Sequence, residues 1–147
     1  MCALEALSST AATEDFVLVH DAVRPCVRAE DLERLLDTVR DDPAGGILAK
    51  PAHDTMKRGD ANCRIDSTVD RRFLWHALTP QLFPLGALMR ALRHARKSDL
   101  AITDEASAME LIGSCPQLVA GHADNIKITR PEDLSIAELF LKQQNRL

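Results

Sequence analysis

Phe16-Val-Leu-Val-His20-Asp21-Ala22-Val23-Arg24-Pro25 is the stretch on which the fold turns. Four apolar residues open it, a proline closes it, and His20, Asp21 and Arg24 lie between. A continuous apolar run ending in turn chemistry reads as a buried parallel strand. In open α/β sheets, ligands collect just beyond the carboxyl ends of such strands. Asp21 then stands at the strand tip, within reach of a metal or a substrate. The fixed φ of Pro25 holds Arg24 nearby. An acid beside a guanidinium suits a metal–phosphate ligand, and it equally suits a structural ion pair closing a strand end. On these residues alone both readings stand.

Outward from this strand, Leu4 and Leu7 place residues 1–9 in a helix, with Ser8-Ser9-Thr10 after it. A domain opening inside a helix leads us to expect sequence upstream of Met1. Leu32, Leu35, Leu36 and Val39 predict an amphipathic helix over 29–41. Glu30 and Asp31 suit its first turn, and Asp42-Pro43 stops it. Gly45-Gly-Ile-Leu-Ala-Lys50 is a second buried strand. Alternating helices and strands predict an α/β domain with a parallel sheet and crossovers.

That rhythm breaks at His53–Arg58 and Cys63–Arg71, which flank Gly59-Asp-Ala-Asn62. These read as a β-hairpin, polar on both sides, forming an arm over about 52–72. A lone two-stranded hairpin is marginal in water, so a second copy of the chain is its economical partner. Phe73–Thr79 is the next apolar run, stopped by Pro80. From Pro84, the residues Leu85, Leu88, Met89 and Leu92 give a second amphipathic helix with a solvated basic face. Thr103 reads as the N-cap of a short helix through Ile112, with Gly113 at C′. Gln117–Ala120 and Asn125–Ile128 read as the last strands. Thr129 and Glu132 form a capping box for the final helix, whose buried stripe is Leu134, Ala137 and Leu141. No repeat or linker divides residues 1–147, which read as one domain.

Composition narrows the function classes. Hydrophobic residues are 46% and charged residues 27%, ordinary globular usage. A net charge of −4 with interspersed signs argues against a general nucleic-acid binder. Tyr is absent, which leaves a poor base-stacking platform. Cys2, Cys26, Cys63 and Cys115 form no C-x-x-C and read as free thiols of a reducing cytoplasm. The first residues lack a basic n-region, and no apolar run nears the ~20 residues that span a bilayer. No Gly-rich phosphate loop occurs among the six glycines.

Four clusters fall at predicted strand ends: Asp21/Arg24, Thr55/Lys57, Arg71/Thr79 and Asp124/Lys127. Arg forks onto phosphate oxygens, Lys adds a point charge, and Asp can hold Mg²⁺. Each cluster alone is equally a surface ion pair. His20, at the end of an apolar strand, reads first as a hydrogen-bonded core residue, second as a base or ligand. His53, His76 and His122 lack zinc spacing, and no G-x-S-x-G occurs.

Val19-His-Asp-Ala-Val-Arg-Pro25 resembles the signature of the 2-C-methyl-D-erythritol 4-phosphate cytidylyltransferases. The resemblance continues, in the family's order, through Asp54–Lys57, Thr68–Arg71, Trp75–Gln81, Thr103–Ser107 and Asp124–Asp133. It implies a Rossmann-like nucleotidyltransferase sheet with a protruding hairpin arm. It further implies a cytoplasmic homodimeric enzyme of non-mevalonate isoprenoid synthesis. Such enzymes join methylerythritol phosphate to CTP with Mg²⁺ and release pyrophosphate. Carried over, Asp21 looks like the substrate- and metal-associated acid. Arg24, Thr55 and Thr79 look like substrate contacts. Arg71 and Lys127 look like the catalytic cations that position the substrate phosphate. The arm bearing Thr55 and Arg71 would cross to the partner subunit. The family's Gly-rich CTP loop, cytosine-recognising residues and R-x-x-S motif would all lie before Met1. The chain thus resembles the C-terminal portion of such an enzyme, with little or no turnover expected from it alone. The alternatives are a non-catalytic dimerisation module derived from that family, or a related transferase acting on another phosphorylated polyol.

Overall fold

A computed structural model describes residues 2–147. In chain order the elements are α1 (Cys2–Leu7), β1 (Phe16–Val19), α2 (Ala29–Val39), β2 (Gly46–Pro51), β3 (Met56–Gly59) and β4 (Ile65–Val69). They continue with β5 (Trp75–Pro84), α3 (Leu85–Lys97), α4 (Glu105–Leu111), β6 (Gln117–Ala120) and α5 (Asp133–Gln143). Four strands form a central sheet in the order β1-β5-β2-β6, while β3 and β4 pair only with each other.

The sheet is mixed, which corrects the parallel expectation. β5 lies antiparallel between β1 and β2, and only β2 and β6 are parallel. The cause is the arm. The chain leaves β2, runs out through β3 and β4, and returns directly as β5 with no helix in between. A return without a crossover helix places the strand antiparallel. For the same reason β1 is not a buried parallel strand. It is a sheet edge paired antiparallel with β5, and Leu18 is 41% exposed.

The apolar runs in β2 and β5 arise because both faces of these strands are covered. On one face Ile47, Ala49 and Phe83 pack with Leu85 and Leu88 of α3 and Met109 of α4. On the other face Leu48, Leu78, Leu82 and Val119 pack with Leu35 and Val39 of α2.

Pro80 does not stop the strand. Ala49 pairs with Ala77 and Ile47 with Gln81, so Leu78, Thr79 and Pro80 all lie opposite Leu48. The proline sits in this bulge, where no ladder hydrogen bond is asked of it. The Thr79–Pro80 peptide is cis. Bulges re-aim side chains, and this one directs Thr79 toward the end of β1.

Three further boundaries move. Asn125–Ile128 is a loop, not a strand. It is tied to the end of β1 by Ile128 N–H donating to the Val23 carbonyl and by the Arg24 guanidinium on the Asn125 carbonyl. α5 begins at Asp133, whose carboxylate accepts from Thr129 N, Thr129 Oγ1 and Arg130 N. The capping acid is therefore Asp133 rather than Glu132. Of the expected stripe only Ala137 is fully buried, and Leu134 is 59% exposed. α4 is capped by Asp104, not Thr103, in a reciprocal box with Ser107. Gly113 follows that helix at φ +79, as its C′ position requires.

Candidate active site

The end of β1, the β5 bulge, the loop before α4 and the 124–128 loop converge on a cleft of about 490 Å³. Asp21, Arg24, Thr79, Thr103, Asp104, Glu105 and Lys127 line it. Asp21 is the residue on which both cations of the cleft meet. Its Oδ2 accepts from Arg24 Nε at 3.3 Å and from Lys127 Nζ at 3.1 Å. The Lys127 ammonium holds the Asp21 carboxyl below the usual carboxylate range; burial opposes this and Arg24 reinforces it.

These groups are held by a short-range network. Asp21 N–H donates to Thr79 Oγ1 at 3.0 Å. His20 lies between Thr79 Oγ1, 3.0 Å from Nδ1, and the Arg24 carbonyl, 3.0 Å from Nε2. Arg24 Nη1 donates to the Asn125 carbonyl at 2.9 Å, and Asn125 Nδ2 donates to the Thr79 carbonyl at 2.8 Å. Residues distant in sequence thereby share one frame, and His20 is hydrogen-bonded as expected but half-buried rather than in the core.

Four of the six candidate residues meet in the cleft: Asp21, Arg24, Thr79 and Lys127. Thr55 and Arg71 do not. Thr55 is exposed just before β3. The Arg71 guanidinium donates to the His53 carbonyl at the base of the arm. The paired clusters separate accordingly. Lys57 Nζ lies 2.6 Å from Thr68 Oγ1 across the hairpin. Asp124 turns away from Lys127 to accept from Arg28 Nε and Nη2, at 2.9 and 2.6 Å, and from Gln144 Nε2 at 3.0 Å. Burial pushes the Asp124 carboxyl up, and Arg28 with Gln144 more than reverse this, leaving it below its ordinary range.

Thr103, Asp104 and Glu105 were not singled out by charge pattern, because helix-start residues are ordinarily explained by capping. Asp104 does cap α4, and its Oδ2 accepts from buried Gln81. The same loop nevertheless forms one wall of the cleft. A larger cleft of about 580 Å³ lies between the start of α2 and the end of α5 and holds none of the candidate residues.

Among the described residues no three His, Cys, Asp or Glu side chains gather as a metal cage. Asp21 offers a single carboxylate whose Oδ2 is taken by two cations. Such a donor fits Mg²⁺ carried on phosphates, which needs only one or two protein carboxylates.

The profile of the family described as "IspD: 2-C-methyl-D-erythritol 4-phosphate cytidylyltransferase" matches residues 1–143. A 2-C-methyl-D-erythritol 4-phosphate cytidylyltransferase of Pseudomonas putida strain W619 is 59% identical over 124 residues, covering 84% of this chain and 53% of that protein. Its counterpart in Vibrio parahaemolyticus is 56% identical over 130 residues, covering 88% and 56%. The chain thus spans about half the length of these curated relatives. A solved 4-diphosphocytidyl-2C-methyl-D-erythritol synthase superposes with a TM-score of 0.85 at 45% identity, covering 95% of this chain and 64% of that one. The Francisella tularensis cytidylyltransferase structure gives 0.85 at 37% identity, covering 95% and 66%.

Proposed function

The chain belongs to the 2-C-methyl-D-erythritol 4-phosphate cytidylyltransferase family, and from that premise we propose that its cleft holds methylerythritol phosphate for reaction with CTP. One observation carries the reading. Arg24 and Lys127 converge on one carboxylate beside a threonine hydroxyl, at the mouth of a strand-end cleft. Two cations so placed recognise phosphate, while a carboxylate and a hydroxyl recognise polyol hydroxyls.

In the proposed reaction a phosphate oxygen of methylerythritol phosphate attacks the α-phosphorus of CTP. The bond from that phosphorus to the β-phosphate oxygen breaks, and pyrophosphate leaves. Little covalent chemistry falls to the protein, so its residues act by positioning and charge. Asp21 orients the polyol. Lys127 and Arg24 hold the attacking phosphate, and Thr79 fixes the polyol end. Arg71 and Thr55, on the arm, would reach the cleft of a second copy, so the proposal includes a homodimer. Asp21 is the residue that would touch Mg²⁺; when bound, that ion neutralises charge on the CTP phosphates. No glycine lines this cleft, so CTP would be cradled by residues other than these. The proposal places the protein in the cytoplasm. No helix among the described residues is long and apolar enough to cross a membrane.

Titration of methylerythritol phosphate into the 147-residue chain, followed by calorimetry, tests the reading. Saturable binding is expected, weakened about tenfold or more by Lys127→Met, the loss of one charge-assisted contact. Concentration-dependent dimerisation without any such binding would favour the second reading, a dimerisation module. What supports that second reading is the arm, a hairpin paired only with itself.

A further inference from the structure

We propose that His20 is a positioning residue that makes the Thr79 hydroxyl an obligate hydrogen-bond acceptor toward whatever occupies the cleft. It thereby selects a ligand hydroxyl at that point rather than a phosphate oxygen. The inference rests on the polyol-phosphate reading above and adds a polarity to one of its contacts.

The argument follows the protons. His20 Nε2 lies 3.0 Å from the Arg24 carbonyl oxygen. A carbonyl only accepts, so Nε2 carries the proton and donates. In the neutral ring Nδ1 is then bare and accepts. Its neighbour at 3.0 Å is Thr79 Oγ1, which must donate its single proton there. That same oxygen accepts the Asp21 backbone N–H at 3.0 Å. A hydroxyl has one proton and two lone pairs. With the proton and one lone pair committed, a single lone pair remains for a ligand. Thr79 cannot donate to a phosphate oxygen in this arrangement, and two lone-pair-bearing atoms facing each other would repel. A polyol hydroxyl, arriving as a donor, fits. The phosphate is left to Lys127 and Arg24, which supply only donors.

The geometry that enforces this is stiff. Asn125 Nδ2 holds the Thr79 carbonyl, and the β5 bulge fixes its backbone. The Arg24 carbonyl held by His20 belongs to the residue whose side chain pairs with Asp21. His20 therefore acts through the Thr79 hydroxyl, with no contact to substrate required of it; the Arg24 carbonyl serves to fix its tautomer.

Long-range proton–nitrogen NMR on the uniformly ¹⁵N-labelled, full 147-residue chain, at neutral and mildly alkaline pH, reads the tautomer directly. A bare Nδ1 with protonated Nε2 is expected, and a protonated Nδ1 overturns the proposal. Two variants then separate the ring nitrogens. His20→Asn keeps an acceptor near Nδ1, and His20→Gln keeps a donor near Nε2. Methylerythritol phosphate affinity should fall about threefold or less in His20→Asn and about tenfold in His20→Gln, the scale of one hydrogen bond. Affinity for inorganic phosphate should stay unchanged in both. Equal losses in both variants, or a parallel loss of phosphate affinity, would show a merely structural role and sink the idea. Should the unsubstituted chain bind phosphate but not methylerythritol phosphate, the substrate reading fails while the NMR result still decides the tautomer.

Discussion

At the scale of single residues the site is defined by who shares Asp21. Arg24 and Lys127 both meet its Oδ2, and its carboxyl is held below the ordinary range of about 3.9. A depressed folded-state value means that the ionised form stabilises the fold at pH above the unfolded value. That contribution is lost as pH falls through the folded value. Lys127→Met removes the largest cause of the depression. The midpoint of the Asp21 side-chain carbonyl titration, followed by ¹³C NMR, should therefore rise toward the ordinary value. An unchanged midpoint would mean that Lys127 and Asp21 do not pair in solution. These residues were visible in the sequence because a strand end concentrates chemistry and an acid beside an arginine draws notice. Asp124 shows the limit of that logic. It lies three residues from Lys127, yet the loop turns between them and sends it to Arg28, far away in the chain. Proximity in sequence gives no side-chain direction where there is neither helix nor strand periodicity to set one. Thr103, part of a matching motif, was given no site role for a different reason: a threonine before a helix already has a sufficient explanation as a cap.

At the scale of elements, hydrophobic spacing located α2 and α3 because each buries an apolar stripe, and an unbroken apolar run located β2 because both of its faces are covered. Spacing did not disclose strand direction, since a strand flanked by two neighbours looks equally apolar whichever way it runs. The direction of β5 was implicit in the hairpin, which returns the chain with no helix long enough for a crossover. Gly45 and Gly46 show how tightly β2 is started. Gly45 has φ +68, and a Cβ there would fall 2.3 Å from the Leu82 carbonyl oxygen and 2.7 Å from Phe83 Cδ1. The clash is with backbone of the central strand, which cannot move without disturbing its ladders. Gly45→Ala is expected to destabilise the chain by roughly 2–3 kcal/mol, combining left-handed strain with overpacking. Gly113, at φ +79 with nothing within 4 Å of the same position, isolates the conformational part. Gly113→Ala should cost only about 1 kcal/mol. Urea denaturation of both variants checks the pair, and equal losses would remove the packing argument.

At the scale of the whole molecule, the arm and the cleft are the two halves of one question. β3 and β4 form their own two-stranded sheet, and most of their side chains are exposed. Two strands with no apolar face of their own are marginal in water, so they gain order only from a neighbour. The cleft, meanwhile, is lined by Arg24 and Lys127, while the arm's Arg71 and Thr55 lie outside it. The proposed homodimer reconciles the two by letting each arm serve the other chain's cleft, an isologous exchange under two-fold symmetry. A mixing experiment separates this from a site complete within one chain. Arg71→Ala damages the arm, and Lys127→Ala damages the cleft. Each homodimer then carries two broken sites. In a mixed dimer the broken arm faces the broken cleft, and the intact arm faces the intact cleft. After unfolding and refolding the two variants together in equal amounts, half of the dimers are mixed, each with one working site. About a quarter of the normal methylerythritol phosphate capacity should return at normal affinity. If Arg71 instead served its own chain's cleft, every cleft in every dimer would remain damaged, and no high-affinity capacity would reappear on mixing.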